Sequence, residues 1–421
     1  MTGIKLKPFW VAAVLACVAL SSAAPARTSA DRRWVAAWAS AQMLVDEQNA
    51  TPPAALHDVT LRQLVRTSLG GTRIRLRVSN AFGTSPLTIS GVNVARAISP
   101  DSSRIHPGTQ RQLTFAGQTG ITIPAGADYL SDPVDMPVPA LSTLAVSMHF
   151  PDLPRLQTGH PGSRAASYLV GGDQREAAEF ETPTRIDHWY YLSELDVAAE
   201  APSAAIAVLG DSITDGYGVK PNTNSRWTDF LLERLKSSAA TRNLGVVNLG
   251  IGGNRLVDDG TGPNAVARFG RDVLARKGIR YLIILEGAND LGMLTRDRPA
   301  SPAEHRALVQ RLIGAYAQMV ERARQRGIKV IGATVMPYGG SAYYHPDAAN
   351  EADRQAINRW IRSPGHVDAI IDFDALMRDP AQPDRLRKKY DSGDGLHPSI
   401  AGYRMMGDSV PLSLFWGRNS R

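Results

Sequence analysis

Apolar positions divide the chain into two stretches of different rhythm. From about Trp34 to Val197 they recur at short, strand-like spacing. Residues 72–79 (TRIRLRVS) alternate with period two, which puts Ile74, Leu76 and Val78 on one face. Residues 87–94, 120–123, 144–150 and 189–195 predict further short strands, and Gly70-Gly71 and 80–84 (NAFGT) supply turn chemistry between them. Short strands with frequent turns predict a β-sandwich-like region. From Ser203 onward, compact branched-chain runs at 204–209, 245–248, 281–285, 329–335 and 369–373 alternate with helical stretches at 227–237, 265–277, 302–326 and 348–361. In the third helix Leu308, Leu312, Ala315, Met319 and Ala323 recur at spacings of three and four, and Pro302 sits where a first turn tolerates it. Strand–helix alternation predicts an α/β architecture, a parallel sheet with helices on both faces. Residues 197–203 (VAAEAPS) are the expected junction.

Residues 1–26 carry the pattern of an export signal. Lys5 and Lys7 supply the positive start, residues 9–20 the apolar run, and Ala24-Pro25-Ala26 an A-x-A site that places cleavage after Ala26. The expected organisation is therefore a signal peptide at 1–26, a β-rich domain at 27–200 and an α/β domain at 201–421, in a secreted or periplasmic protein. Lipid attachment at Cys17 is the alternative, because 14–17 (VLAC) loosely resembles a lipobox. No later segment is apolar enough to span a bilayer, so no stable membrane insertion is expected after cleavage. Cys17 is the single cysteine, which leaves no intramolecular disulfide and no cysteine-based metal cluster.

Composition narrows the function classes. Apolar residues make up 43% and charged residues 21%, which excludes wholesale disorder. The formal charge of +7 is spread along the chain; 385–390 (RLRKKY) is short and isolated, so no nucleic-acid partner is expected. There is no H-E-x-x-H and no Walker motif, and the nine histidines show no metal-ligand spacing, so neither a cofactor nor a metal is called for.

The reactive residues fall just past the predicted parallel strands, where ligands bind in such sheets. Gly210-Asp211-Ser212-Ile213-Thr214 follows the first strand, 249–254 (LGIGGN) the second and Glu286-Gly287-Ala288-Asn289-Asp290 the third. Asp394-Gly395-Leu396-His397 follows the last after a longer loop. Acyl transfer needs a hydroxyl beside a base, a carboxylate to orient that base, and donors for a developing oxyanion. Ser212 is the candidate nucleophile, His397 the base and Asp394 the orienter. The Ser212 N–H, a glycine N–H from 249–254 and the Asn289 amide are candidate oxyanion donors. Gly-Asp-Ser alone is weak, since Gly407-Asp408-Ser409 repeats it in a predicted helix.

The four blocks resemble those of the SGNH hydrolases, the GDSL-type esterases and lipases. GDSIT at 210–214, NLGIGG at 248–253, GAND at 287–290 and D-x-x-H at 394–397 look like that family's successive blocks, over about half of the chain. The resemblance implies a three-layer α/β/α flavodoxin-like hydrolase domain. It also implies catalytic Ser212, Asp394 and His397, and an oxyanion hole of Ser212, Gly253 and Asn289, Gly252 being the neighbouring option. The β-rich half is similar to the region preceding the hydrolase domain in some secreted members related to xylan-associated acyl- and arylesterases, on features such as WVAAWAS at 34–40. The expected function is an exported serine esterase acting on a small-molecule or polysaccharide ester, with short-acyl (acetyl) carbohydrate esters preferred. Its rivals are a lipase or lysophospholipase, an arylesterase, a sugar O-acyltransferase and a non-catalytic carbohydrate-binding protein. Trp34, Trp38, Trp189, Tyr190 and Tyr191 read as core in preference to a sugar platform. Residues 337–346 (PYGGSAYYHP) are expected to form a loop on the active-site side.

Overall fold

A computed structural model describes residues 2–3 and 32–415. The export-signal pattern, with Cys17 and the cleavage site, lies outside the described residues. Among those described, no helix is long and apolar enough to cross a membrane.

The run Ala204–Gly210 is buried at every position, as a central parallel strand covered on both faces must be. It stands between Leu244–Gly250 and Ile279–Leu285, and Lys329–Ala333 and Ala369–Ile371 continue the sheet. All four pairings are parallel. The second strand lies on one side of the first and the third on the other, so the topological switch opens a crevice at the carboxyl end of Ala204–Gly210.

The helices have local causes. Pro302–Arg324 starts at a capping box in which Ser301 and Glu304 satisfy each other's N–H groups, with proline in the first turn. Its residues Leu308, Leu312, Ala315, Met319 and Ala323 are all buried. Trp227–Ser237 and Ala348–Arg362 match their expected spans within a residue. The expected helix at 265–277 is shorter: Ala265–Phe269 runs into a π-helical turn, Gly270–Leu274. The second Gly-Asp-Ser, at 407–409, closes the helix Ile400–Ser409.

The antiparallel region before the parallel sheet forms two main sheets. One is six-stranded, with His57–Arg66 and Thr143–Asp152 at its centre; the other is five-stranded, built on Arg32–Ala39, Leu192–Glu200 and Gly71–Ser79. Their facing side chains make one core that includes Leu61, Val65, Ile74, Leu76, Val78, Val92, Val94, Leu144 and Val146. Trp38, Trp189, Tyr190 and Tyr191 are buried in that core. The other face of Gly71–Ser79 carries Arg75 and Arg77, which pair with the buried Asp196 and Glu194. Glu194 also pairs with Arg276 of the α/β region.

Residues 32–415 lie in one compact unit. Ala36, Ala39, Ala41 and Met43 share a core with Val247, Leu249 and Ile251 of the parallel-sheet region. The expected junction is narrower than 197–203, because Leu192–Glu200 continues in register with Arg32–Ala39 up to Glu200.

Candidate active site

Ser212 opens the one-turn helix Ser212–Asp215 immediately beyond Ala204–Gly210. The helix is set by its ends: the Asp211 carboxylate accepts the Ile213 N–H at 2.9 Å, and Gly216 leaves in the left-handed conformation. The hydroxyl of Ser212 thereby points into the crevice at the switch point.

His397 arrives from the other end of the chain. The spacing of Asp394 and His397 is explained by one carboxylate. Its Oδ1 accepts the backbone N–H groups of Leu396 and His397 at 2.9 and 2.8 Å, which folds the four residues 394–397 back on themselves. Its Oδ2 then lies 2.6 Å from His397 Nδ1. With a proton on Nδ1 donated to the carboxylate, Nε2 is left to accept, and Ser212 Oγ lies 2.8 Å from it. Tyr217 stacks on the imidazole with ring centroids 4.0 Å apart and shields one face.

Charge states follow from these contacts. Burial would raise the Asp394 carboxyl, but the three hydrogen bonds from His397 and Leu396 outweigh it and hold the group below its ordinary value. Burial lowers His397 and the neighbouring Asp394 raises it; burial prevails, so the ring titrates below an ordinary histidine. Asp211, fully buried, is pushed up to about 7.

The expected oxyanion donors surround the same point. Gly253 has φ +73°, a conformation that favours glycine, and it lines the cleft beside Ser212. Among the described residues, the backbone N–H groups of Ser212 and Gly253 have no hydrogen-bond acceptor. Asn289 is the second residue of the helix Ala288–Thr295 beyond the third strand. Its Nδ2 donates to the Asn254 carbonyl at 2.7 Å and faces Asp211 Oδ2 at 3.3 Å. The longer of these bonds is the weaker, and an arriving oxygen can replace it. Asp290 braces the adjacent loop by accepting the N–H groups of Leu256 and Val257. The structure thus brings together Ser212, Gly253, Asn289, Asp394 and His397 around a cleft of about 880 Å³.

Three residues escaped sequence reading. Tyr344, from the loop at 337–346, donates its hydroxyl to Asn289 Oδ1 at 2.5 Å and so fixes which way the amide faces. Tyr217 covers the histidine, and His160 of the antiparallel region meets Asp215 at the end of the Ser212 helix. None of the three lies in a motif; the aromatic content of 337–346 was the sole signal. His345 in that loop is exposed.

Residues 208–405 match the GDSL-like Lipase/Acylhydrolase family. This part of the chain, just under half of it, is similar to that family, and the protein is a carboxylic ester hydrolase. Among solved structures, a GDSL-like lipase from Bacteroides thetaiotaomicron is 19% identical, covering 50% of this chain and 87% of its own, with a TM-score of 0.36. An acetyl xylan esterase from Geobacillus stearothermophilus is 19% identical over 49% of this chain and 92% of its own, also with a TM-score of 0.36. No curated protein matches the chain.

The electrostatics give a pH signature. A protonated imidazole cannot take the Ser212 proton, so kcat/KM on an ester is expected to rise with pH as His397 loses its proton. The midpoint should lie below 6.5, the ordinary histidine value, because burial disfavours the charged ring. A rate profile over about pH 4 to 8 reads this directly. Asp211→Asn should leave that lower midpoint in place, which separates His397 from the carboxyl near 7. A midpoint at or above 6.5 would contradict the burial argument.

Proposed function

We propose that the chain is an exported serine esterase that hydrolyses short-acyl esters of carbohydrates through an acyl-enzyme on Ser212. The observation that carries this reading is the unbroken line from Asp394 through His397 to the Ser212 hydroxyl, with bonds of 2.6 and 2.8 Å, opening into the cleft. Ser212 Oγ attacks the ester carbonyl carbon while His397 Nε2 takes its proton, and Asp394 stabilises the imidazolium. The tetrahedral oxygen receives hydrogen bonds from the N–H groups of Ser212 and Gly253 and from the Asn289 amide. Collapse breaks the C–O bond to the alcohol, which leaves with the proton from His397. Water, deprotonated by His397, then attacks the acyl-enzyme and releases the acid and the free serine.

The cleft wall supports a small acyl group and a bulky polar alcohol. Its aliphatic lining comes from Met293, Ala342 and Leu396, interrupted by Arg255, Thr261, Arg296 and Ser341. A long acyl chain needs a continuous apolar channel to repay its desolvation. Tyr217 and Tyr343 expose 48% and 58% of their surface at the cleft, which suits stacking against a sugar ring. The export pattern at 1–26 supports a substrate outside the cytoplasm.

The test is a series of p-nitrophenyl esters, followed by acetylated xylan and lysophospholipid. The acetate is expected to exceed the decanoate in kcat/KM by about tenfold or more, a difference of roughly 1.4 kcal/mol in transition-state binding. Acetate release from xylan is expected, and lysophospholipid should not turn over. Preference for the long chain would favour a lipase and remove the carbohydrate reading.

A further inference from the structure

His160 ends the strand Thr158–His160 in the antiparallel region, and Asp215 ends the helix that Ser212 begins. Each side chain is 5% exposed. His160 Nδ1 lies 2.8 Å from the Ala41 carbonyl oxygen, and Nε2 lies 2.9 Å from Asp215 Oδ1. A carbonyl only accepts, so Nδ1 carries a proton, and a second proton is shared between Nε2 and the carboxyl group. The other Asp215 oxygen accepts the Gly252 N–H at 3.1 Å. One buried carboxyl group therefore connects a histidine of the antiparallel region to the turn that contains Gly253.

The surroundings hold the histidine to this task. Its ring stacks on Trp189 at 5.8 Å, and Trp189 meets Trp38 edge-on at 4.8 Å. At Gly162 a Cβ would fall 1.9 Å from Asp215 Oδ2, so the antiparallel segment approaches the carboxylate as closely as a backbone can. Arg226 makes a second tie between the same two segments. Its Nε donates to the Asp215 carbonyl at 3.0 Å and its Nη2 to the Ser163 carbonyl at 2.5 Å.

We propose that His160 is a positioning residue for ester hydrolysis: through Asp215 it fixes the Gly252–Gly253 turn, and the antiparallel region is thereby a working part of the active site. This rests on the reading of Ser212, Gly253 and Asn289 given above. Without the Nε2 contact the buried Asp215 carboxyl group loses the partner that holds its orientation, and it turns away. That turn frees the Gly252 N–H, which donates to Asp215 Oδ2, and lets the next residue drift. An oxyanion donor matters most when the charge has formed, so the loss appears in kcat with little change in KM.

The experiment compares His160→Asn with His160→Gln on p-nitrophenyl acetate. Asparagine places an amide donor near the position of Nδ1, for Ala41, and removes the atom facing Asp215. Glutamine reaches Asp215 instead. His160→Asn is expected to lower kcat by about 10- to 100-fold, with KM within about twofold of the parent. His160→Gln is expected to recover kcat to within about threefold of the parent. Parental kcat in a folded His160→Asn variant overturns the proposal. So does an equal loss in both variants accompanied by a lowered melting temperature, which would mean a structural role only. If His160→Asn does not fold, Asp215 reads the same tie from the other side. Asp215→Asn keeps a donor for Nε2 and an acceptor for the Gly252 N–H and should hold kcat, whereas Asp215→Ala should lose it; equal behaviour of these two overturns the proposal. Turnover by the parent and its loss in Ser212→Ala are read alongside, and they decide the underlying reading separately.

Discussion

Replacing Ser212 by alanine is expected to reduce kcat on p-nitrophenyl acetate by on the order of 10⁶-fold. The size of the effect follows from what the hydroxyl does. In the proposed mechanism it is the atom that bonds to the carbonyl carbon, so its removal deletes the acyl-enzyme route instead of weakening one contribution to it. His397, Asp394 and the donors stay in place, because the Ser212 side chain is attached at the start of a helix whose cap is supplied by Asp211. KM and melting temperature should therefore change little. The residual rate would come from water attacking a carbonyl still held among the donors. A fluorophosphonate label should attach to the parent and fail to attach to the variant. Turnover within about tenfold of the parent would overturn the assignment of the nucleophile.

Asp394→Asn is expected to reduce kcat by about 10⁴-fold, nearly as much as removing the histidine. Among the described residues, the only acceptor at His397 Nδ1 is the Asp394 carboxylate, at 2.6 Å. Asparagine preserves the shape, and its Oδ1 can still accept the N–H groups of Leu396 and His397. Its Nδ2, however, presents a donor where the imidazole needs an acceptor. The ring responds by moving its proton to Nε2, and Nε2–H cannot accept from Ser212. The variant should fold and bind ester with KM near the parental value, so the loss reports the tautomer and the lost stabilisation of the imidazolium. A loss of less than about tenfold would mean that another group orients the ring.

The pieces of the site legible in the sequence were those whose chemistry is local. Asp211 caps the helix of its immediate neighbours, and Asp394 reaches a histidine three residues on; both contacts are short-range geometry that a motif can encode. The buried run Ala204–Gly210 and the helix Pro302–Arg324 were legible for the same reason, since apolar continuity and a capping box act over a few residues. Tyr344 on Asn289 and His160 on Asp215 were not legible, because 55 positions separate the members of each pair and neither spacing follows a helical or strand period. Nor did the pattern show that the polar face of Gly71–Ser79 is covered. Arg75 and Arg77 lie on the face opposite Ile74, Leu76 and Val78, and their carboxylate partners come from a strand more than a hundred positions away.

The sequence by itself determined the two rhythms of the chain, the parallel-sheet architecture of its second part and the candidate residues beyond each strand. These are written in periodicity and in short motifs, which depend on neighbours along the backbone. Only the tertiary structure decided that Ser212 and His397, 185 positions apart, lie 2.8 Å from one another, and that the antiparallel region meets a buried carboxylate of the helix that Ser212 begins. Those contacts are made when separate apolar surfaces pack together. Packing selects among many distant partners by shape and by the cost of burying an unpaired polar group, and no short stretch of residues carries that information.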